Sequence, residues 1–123
     1  EGDPYHCQCQ KTTRLLKERL GWQDTEITTT FQSKFGPEEW LKPYTVEEVA
    51  RLAEKGKKNI AVCAPAFSAD CIETLEEINE EIKESFEEAG GETFTYIPCL
   101  NDDDAHIEAL STVINENLRG WLD

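Results

Sequence analysis

The sequence predicts an α/β fold: a parallel sheet of about three strands flanked by helices in three layers. Three observations carry this. Segments of helical and strand character alternate as helix–strand–helix–strand–helix–strand–helix, the order that builds a parallel sheet with helices on both faces. The run Asn59-Ile60-Ala61-Val62-Cys63-Ala64 is almost wholly apolar, as in a strand buried on both sides. Glycine or proline stands at most of the junctions.

Gly2-Asp3-Pro4-Tyr5 reads as a turn, because Asp-Pro favours turn initiation. A helix is expected from about Cys9 to Leu20, with Leu15, Leu16 and Leu20 on one side and Gly21 as its stop. Glu26 to Phe31, β-branched and aromatic, reads as the first strand. Gln32 to Tyr44 holds two prolines, a glycine and three aromatics. It is a loop that carries bulk, which suggests something to cover. Thr45 opens the next helix with Glu48 as the partner of a capping box; Val46, Val49, Leu52 and Ala53 form its apolar stripe, and Gly56 ends it.

Asn59 to Ala64 is the second strand, ended by Pro65 and small residues. From Cys71 to Ala89 a helix is expected with Leu75, Ile78, Ile82 and Phe86 inward and Glu73, Glu77, Glu80, Glu81, Glu84 and Glu88 opposite. Gly90-Gly91 closes it, and Thr93 to Pro98 is the third strand. Asn101 and Asp102 to Asp104 supply a turn and a helix start, and the last helix runs to about Leu118 with Ile107, Leu110, Val113 and Ile114 inward. The chain opens in a turn and a helix, as though a first strand had been left out.

With 123 residues the chain fits one domain, residues 1–123. It carries 26 acidic residues against 12 basic ones, a net charge of −14. Nucleic acid is excluded as a partner, because neutralising phosphates needs clustered Lys and Arg. No apolar run approaches the roughly 20 residues that span a bilayer, and no signal peptide is visible. Five cysteines, an odd number with three of them (Cys63, Cys71 and Cys99) at or beside strand ends, suit reduced thiols in the cytoplasm better than a disulfide framework.

In parallel sheets ligands bind beyond the carboxyl ends of the strands. That puts Gln32 to Trp40, Pro65 to Glu73 and Cys99 to Asp104 around one rim. A strand tip that opens a carboxylate-lined helix is suited to handling a cation or a proton.

Five strings of residues then carry a resemblance: Gly2-Asp3-Pro4-Tyr5, Phe31-Gln32-Ser33-Lys34-Phe35-Gly36-Pro37, Trp40-Leu41-x-Pro43-x-Thr45, Phe67-Ser68-Ala69-Asp70-Cys71-Ile72-Glu73-Thr74-Leu75-Glu76-Glu77 and Tyr96-Ile97-Pro98-Cys99-Leu100-Asn101. In this order they resemble ferrochelatase, the lyase that inserts ferrous iron into protoporphyrin IX in the last step of haem synthesis. The resemblance is to the C-terminal part of a bacterial-type enzyme more than twice this long. The family's His-Gly/Ser-x-x-Pro strand end has no counterpart here: His6 precedes Cys7 and His106 precedes Ile107.

The resemblance implies that Glu73 is the active-site glutamate, either a base for the pyrrole protons with its pKa raised by a porphyrin-lined cleft or a ligand that delivers the metal. It implies that Asp70, Glu77 and Glu81 continue a path of oxygen ligands for the metal. Trp40 and Phe67 would line the porphyrin pocket, with Ser33 and Lys34 at the porphyrin edge or its propionates. On the residues alone, Glu73 reads equally as a carboxylate favoured by a helix N-terminus, the acidic line as a solvated face, and Phe67 as ordinary core.

Ferrous iron is expected as substrate, with no tightly bound cofactor. A [2Fe-2S] cluster is not expected, since it needs four thiolates and Cys7-x-Cys9 is a poor metal signature. The expected partners are protoporphyrin IX, iron and the missing N-terminal part of the enzyme, with the 123-residue chain alone inactive. Two other readings stand beside this one: a small homodimeric chelatase, and a non-catalytic domain that binds porphyrin or metal.

Overall fold

The computed structural model describes residues 2–34 and 36–121. Its elements are α1 (Tyr5–Leu20), α2 (Thr45–Glu54), β1 (Asn59–Cys63), α3, β2 (Thr93–Ile97) and α4 (Asp104–Asn117). Helix α3 is continuous over 73–88: Glu73–Ile82 is π-helical and Lys83–Glu88 is α-helical.

The sheet has two strands, not three. β1 and β2 run parallel in the register Asn59↔Thr93 to Cys63↔Ile97. The expected strand at Glu26 to Phe31 forms only one isolated parallel bridge, Phe31 to Tyr44. There the Phe31 N–H donates to the Pro43 carbonyl at 2.9 Å and the Thr45 N–H to the Phe31 carbonyl at 2.9 Å. The β-branched residues before it bond sideways: Thr29 pairs with Thr13 at 2.6 Å, and Thr30 accepts from Thr45 at 2.9 Å. A segment held by its hydroxyls to a helix and a loop offers no ladder to β1.

One face of the sheet packs. Ile60, Val62, Phe94 and Tyr96 lie against a core of Val49, Ala53, Ile78, Ile82 and Phe86, contributed by α2 and α3. Alternation along both strands sends Asn59, Ala61, Cys63, Thr93, Thr95 and Ile97 to the other, exposed face. A strand buried on both sides is thus not what Asn59–Cys63 became. Helices α1 and α4 bury no residue, and the Ile107, Leu110, Val113 and Ile114 stripe expected inward is exposed. Nothing in the described chain packs on that stripe.

Local chemistry explains the element ends. α1 starts at Tyr5, earlier than its periodicity suggests, because Asp3 Oδ1 accepts the Tyr5 N–H at 2.8 Å and Pro4 stands at the cap. Gly21, left-handed at φ 69°, closes it. The capping box at Thr45 does not form. Tyr44 is the cap residue, Thr45 turns its hydroxyl to Thr30, and Glu48 pairs with Arg51 instead. At Gly91 an added Cβ would stand 2.2 Å from the Phe86 ring, so the chain leaving α3 can pass that buried ring only as glycine. Leu75, expected inward, is exposed and Thr74 is buried in its place. The wider π turns bring Thr74, Ile78 and Ile82 onto one line, four residues apart.

Candidate functional site

Two loops leave the carboxyl ends of the strands, 64–72 after β1 and 98–103 after β2. Asp70 fastens them. Its carboxylate accepts from the Tyr96 hydroxyl at 2.5 Å, the Asn101 side-chain amide at 2.8 Å, the Thr74 hydroxyl at 3.0 Å and the Cys99 N–H at 3.3 Å. Asn101 returns the bond, its Oδ1 accepting the Asp70 N–H at 2.8 Å. Asn101 adopts a left-handed backbone, φ 49°, which asparagine tolerates better than other side-chain-bearing residues. The Asn101 N–H reaches back to the Ser68 carbonyl at 3.0 Å.

His106 completes the clasp. A carbonyl can only accept, so Nδ1 carries the proton given to the Asn101 carbonyl at 2.8 Å. Nε2 then accepts from the Ser68 hydroxyl at 3.1 Å. A residue that reads in sequence as an ordinary helix position is thus a tie between the loops.

Donors on every side, Asn101 and Tyr96 foremost, hold the Asp70 carboxyl well below the usual carboxylate range. Burial and then the bond to Asp70 push the Tyr96 hydroxyl up. A depressed carboxyl stabilises the fold fully above its unfolded value, about pH 3.9, and loses that contribution only as pH falls through the lower folded value. The clasp is therefore expected to survive mild acid and to fail in strong acid. In Asp70→Asn, acid titration followed by circular dichroism should show that this component of the pH dependence has gone.

Glu73 begins α3, half-buried. The neighbouring Cys71 thiol, followed by its own backbone N–H, lowers the Glu73 carboxyl. The expected raised pKa concerned a porphyrin-lined cleft; in the chain alone, hydrogen bonds to the charged form outweigh desolvation. Glu73 is ionised at neutral pH, the state in which a carboxylate can take a proton. Behind it, buried Thr74 accepts the Cys71 N–H at 2.9 Å and donates to Asp70.

The loop after Phe31 lies on this helix. Gln32 Nε2 donates to the Glu73 carbonyl at 2.8 Å. Ser33, left-handed at φ 56°, gives its N–H to Glu77 Oε1 at 2.7 Å and its hydroxyl to Glu77 Oε2. Of the four acids singled out in the sequence, Asp70 and Glu77 are thus already engaged as acceptors. Glu81 is exposed. Among the described residues no three His, Cys, Asp or Glu side chains gather as a metal cage.

A cavity of about 390 Å³ opens between α1 and the tip of β1. Trp40, Phe67, Gln32, Ser33 and Phe31 line it, with Tyr5 and Cys9 of α1 opposite. Trp40 Nε1 is buried there with no hydrogen-bond partner among the described residues, a polar group that a bound acceptor would satisfy. Lys34 is exposed and does not line the cavity. Glu73 does not line it either; Gln32 is the residue that joins the two. Tyr96, Asn101, Thr74 and His106 were not singled out from the sequence. The visible signals were the Asn101 turn residue just after a strand and the resemblance strings that hold Thr74, Tyr96 and Asn101.

Comparison with known proteins shows the family. The ferrochelatase family model matches residues 1–118. The chain is 76% identical to the ferrochelatase of Rhodobacter capsulatus over 123 residues, all of this chain and 35% of that protein. It is 60% identical to that of Marinobacter nauticus over 121 residues, 98% of this chain and 33% of that one. It is 57% identical to that of Rhizobium meliloti over 122 residues, 99% and 36% respectively. The chain spans about a third of the length of the curated relatives it matches. With an uninterrupted family match from the opening turn to the last helix, the chain belongs to the ferrochelatase family.

Proposed function

We propose that this chain supplies one wall of the site at which an enzyme inserts ferrous iron into protoporphyrin IX, the closing step of haem synthesis, in the cytoplasm. One observation carries the reading. An ionised carboxylate, Glu73, is joined through Gln32 to an aromatic-lined cavity at a strand tip. Inserting the metal replaces two pyrrole N–H protons by one divalent cation. A carboxylate beside the ring takes up one leaving proton, the other passes to solvent water, and the carboxylate's negative charge favours the approaching iron. Trp40 and Phe67 provide apolar surface for a flat macrocycle.

Glu73 is the proton acceptor in this reading, and exposed Glu81 is a hard oxygen donor on the way in for the metal. Asp70 shapes the rim instead of meeting the metal, because its oxygens already accept four hydrogen bonds. Ser33 lines the cavity, and exposed Lys34 beside it in sequence is a cation for the anionic edge of the porphyrin. The five free cysteines agree with a reducing compartment. No described helix is long and apolar enough to cross a membrane.

The reading is tested by supplying ferrous iron and protoporphyrin to two preparations under anaerobic conditions. The full-length protein is expected to form the metalloporphyrin. The 123-residue chain alone is expected to stay at the uncatalysed rate, since it spans about a third of its relatives. Turnover by the chain alone would favour the stand-alone chelatase reading; none by either preparation would sink the proposal.

A further inference from the structure

We infer that Gln32 and Ser33 clamp helix α3 in its π register, and that Glu77 is the receiving half of this clamp instead of a ligand for the passing metal. This rests on reading Glu73 as the proton acceptor, because the clamp matters to function through where it holds Glu73.

Three observations point the same way. Both Glu77 oxygens are engaged by Ser33, one by its N–H and one by its hydroxyl. Such a charged, two-point arrangement is directional and leaves little of the carboxylate for a cation. Ser33 adopts a positive φ that L-residues with a side chain rarely take, and such a conformation persists only where its surroundings hold it in place. The backbone is turned so that N–H and hydroxyl converge on Glu77.

Gln32 adds the third. Its amide donates to the Glu73 carbonyl, at the residue where the π segment begins. In an α-helix that carbonyl accepts from the N–H four residues on, and in the π register from the N–H five residues on. A side-chain donor already on that oxygen makes the looser ladder easier to keep. The π segment extends through Glu77 to Ile82, and the helix returns to α geometry at Lys83, beyond the loop's last bond. The loop's bonds thus fall on the first half of the wide turns, from Glu73 to Glu77. Gln32 and Ser33 are positioning residues: they fix the first turn of α3, and with it Glu73.

The test is amide hydrogen exchange on the chain itself, with no porphyrin or metal present, so it is decided even if the iron-insertion reading fails. Glu77→Met, unbranched and lacking an acceptor, should speed exchange at the Ser33 amide and at amides 78–82 by roughly tenfold or more. Ser33→Ala should do so less, because its N–H still reaches Glu77, and should add nothing once Glu77 is Met. Glu80→Gln, on an exposed position, should change none of these amides. Unchanged exchange in Glu77→Met, or full additivity of the two substitutions, overturns the clamp.

If Glu77→Met fails to fold, Glu77→Gln with Ser33→Ala gives the same cycle at smaller amplitude. In the full-length enzyme both substitutions should lower kcat and leave the KM for iron unchanged. A rise in iron KM for the Glu77 variant alone assigns Glu77 to the metal and refutes the inference.

Discussion

Glu73→Gln in the full-length protein should lower the rate of iron insertion roughly 10²–10⁴-fold, the usual contribution of a positioned proton acceptor. The amide keeps the size and polarity of the side chain but cannot accept a pyrrole proton. Porphyrin KM should hold, because Glu73 is not among the side chains lining the cavity. Thermal stability should hold as well, since the Gln32 bond goes to the Glu73 backbone carbonyl and survives the change. The pH profile gives a further check. With its carboxyl lowered by Cys71, Glu73 is a working base at every pH above the ordinary carboxylate range. The acidic limb it contributes should therefore lie below the ordinary carboxylate range. Retention of near-full activity by Glu73→Gln would remove the base from the mechanism.

Phe86→Ala should cost about 3–5 kcal/mol, the range for emptying a large aromatic site in a core. Phe86 is fully buried, tilted against Phe94 with ring centroids 6.0 Å apart, and belongs to the cluster that joins α2, α3 and the sheet. Set against a total stability of about 5–15 kcal/mol for an ordinary domain, that is a large share. Gly91→Ala attacks the same ring from outside, because its Cβ would fall 2.2 Å from a Phe86 carbon; overpacking of this kind costs about 1–3 kcal/mol. The two sites touch, so their effects are not additive. Phe86→Leu combined with Gly91→Ala should be less destabilised than the sum of the two alone, as urea denaturation would show. Strict additivity would mean that the ring yields freely.

The residues that were legible are those whose local chemistry agrees with their surroundings. β1, β2 and the length of α3 follow directly from apolar runs and helical spacing, and Gly21, Gly56 and Gly90 mark ends as expected. Glu26 to Phe31 failed because strand propensity only says that a segment fits a pleated surface, and among the described residues only the single bridge to Tyr44 accepts it. Thr45 to Glu48 failed because tertiary partners, Thr30 and Arg51, outbid the local cap. Leu75 and Thr74 exchanged places because no α-helical spacing rule anticipates ten π-helical residues. The loops bearing Glu73, Trp40 and Phe67 were legible as a rim. The work of Asp70 was not, since its partners Tyr96, Cys99 and Asn101 lie 26 to 31 residues away in sequence.

A two-stranded sheet has no interior strand. Among the described residues β1 and β2 are each a border, and each shows a row of peptide groups with no further strand laddered to it on the outer side. Such a border is a template on which a second molecule can crystallise its own backbone. What opposes this is the uniform sign of the surface, fourteen negative charges in excess, which keeps like molecules apart for as long as the solution lets them sense one another. Electrolyte shortens that reach. The unaccompanied polypeptide should therefore stay dispersed in dilute buffer and self-associate as ionic strength climbs.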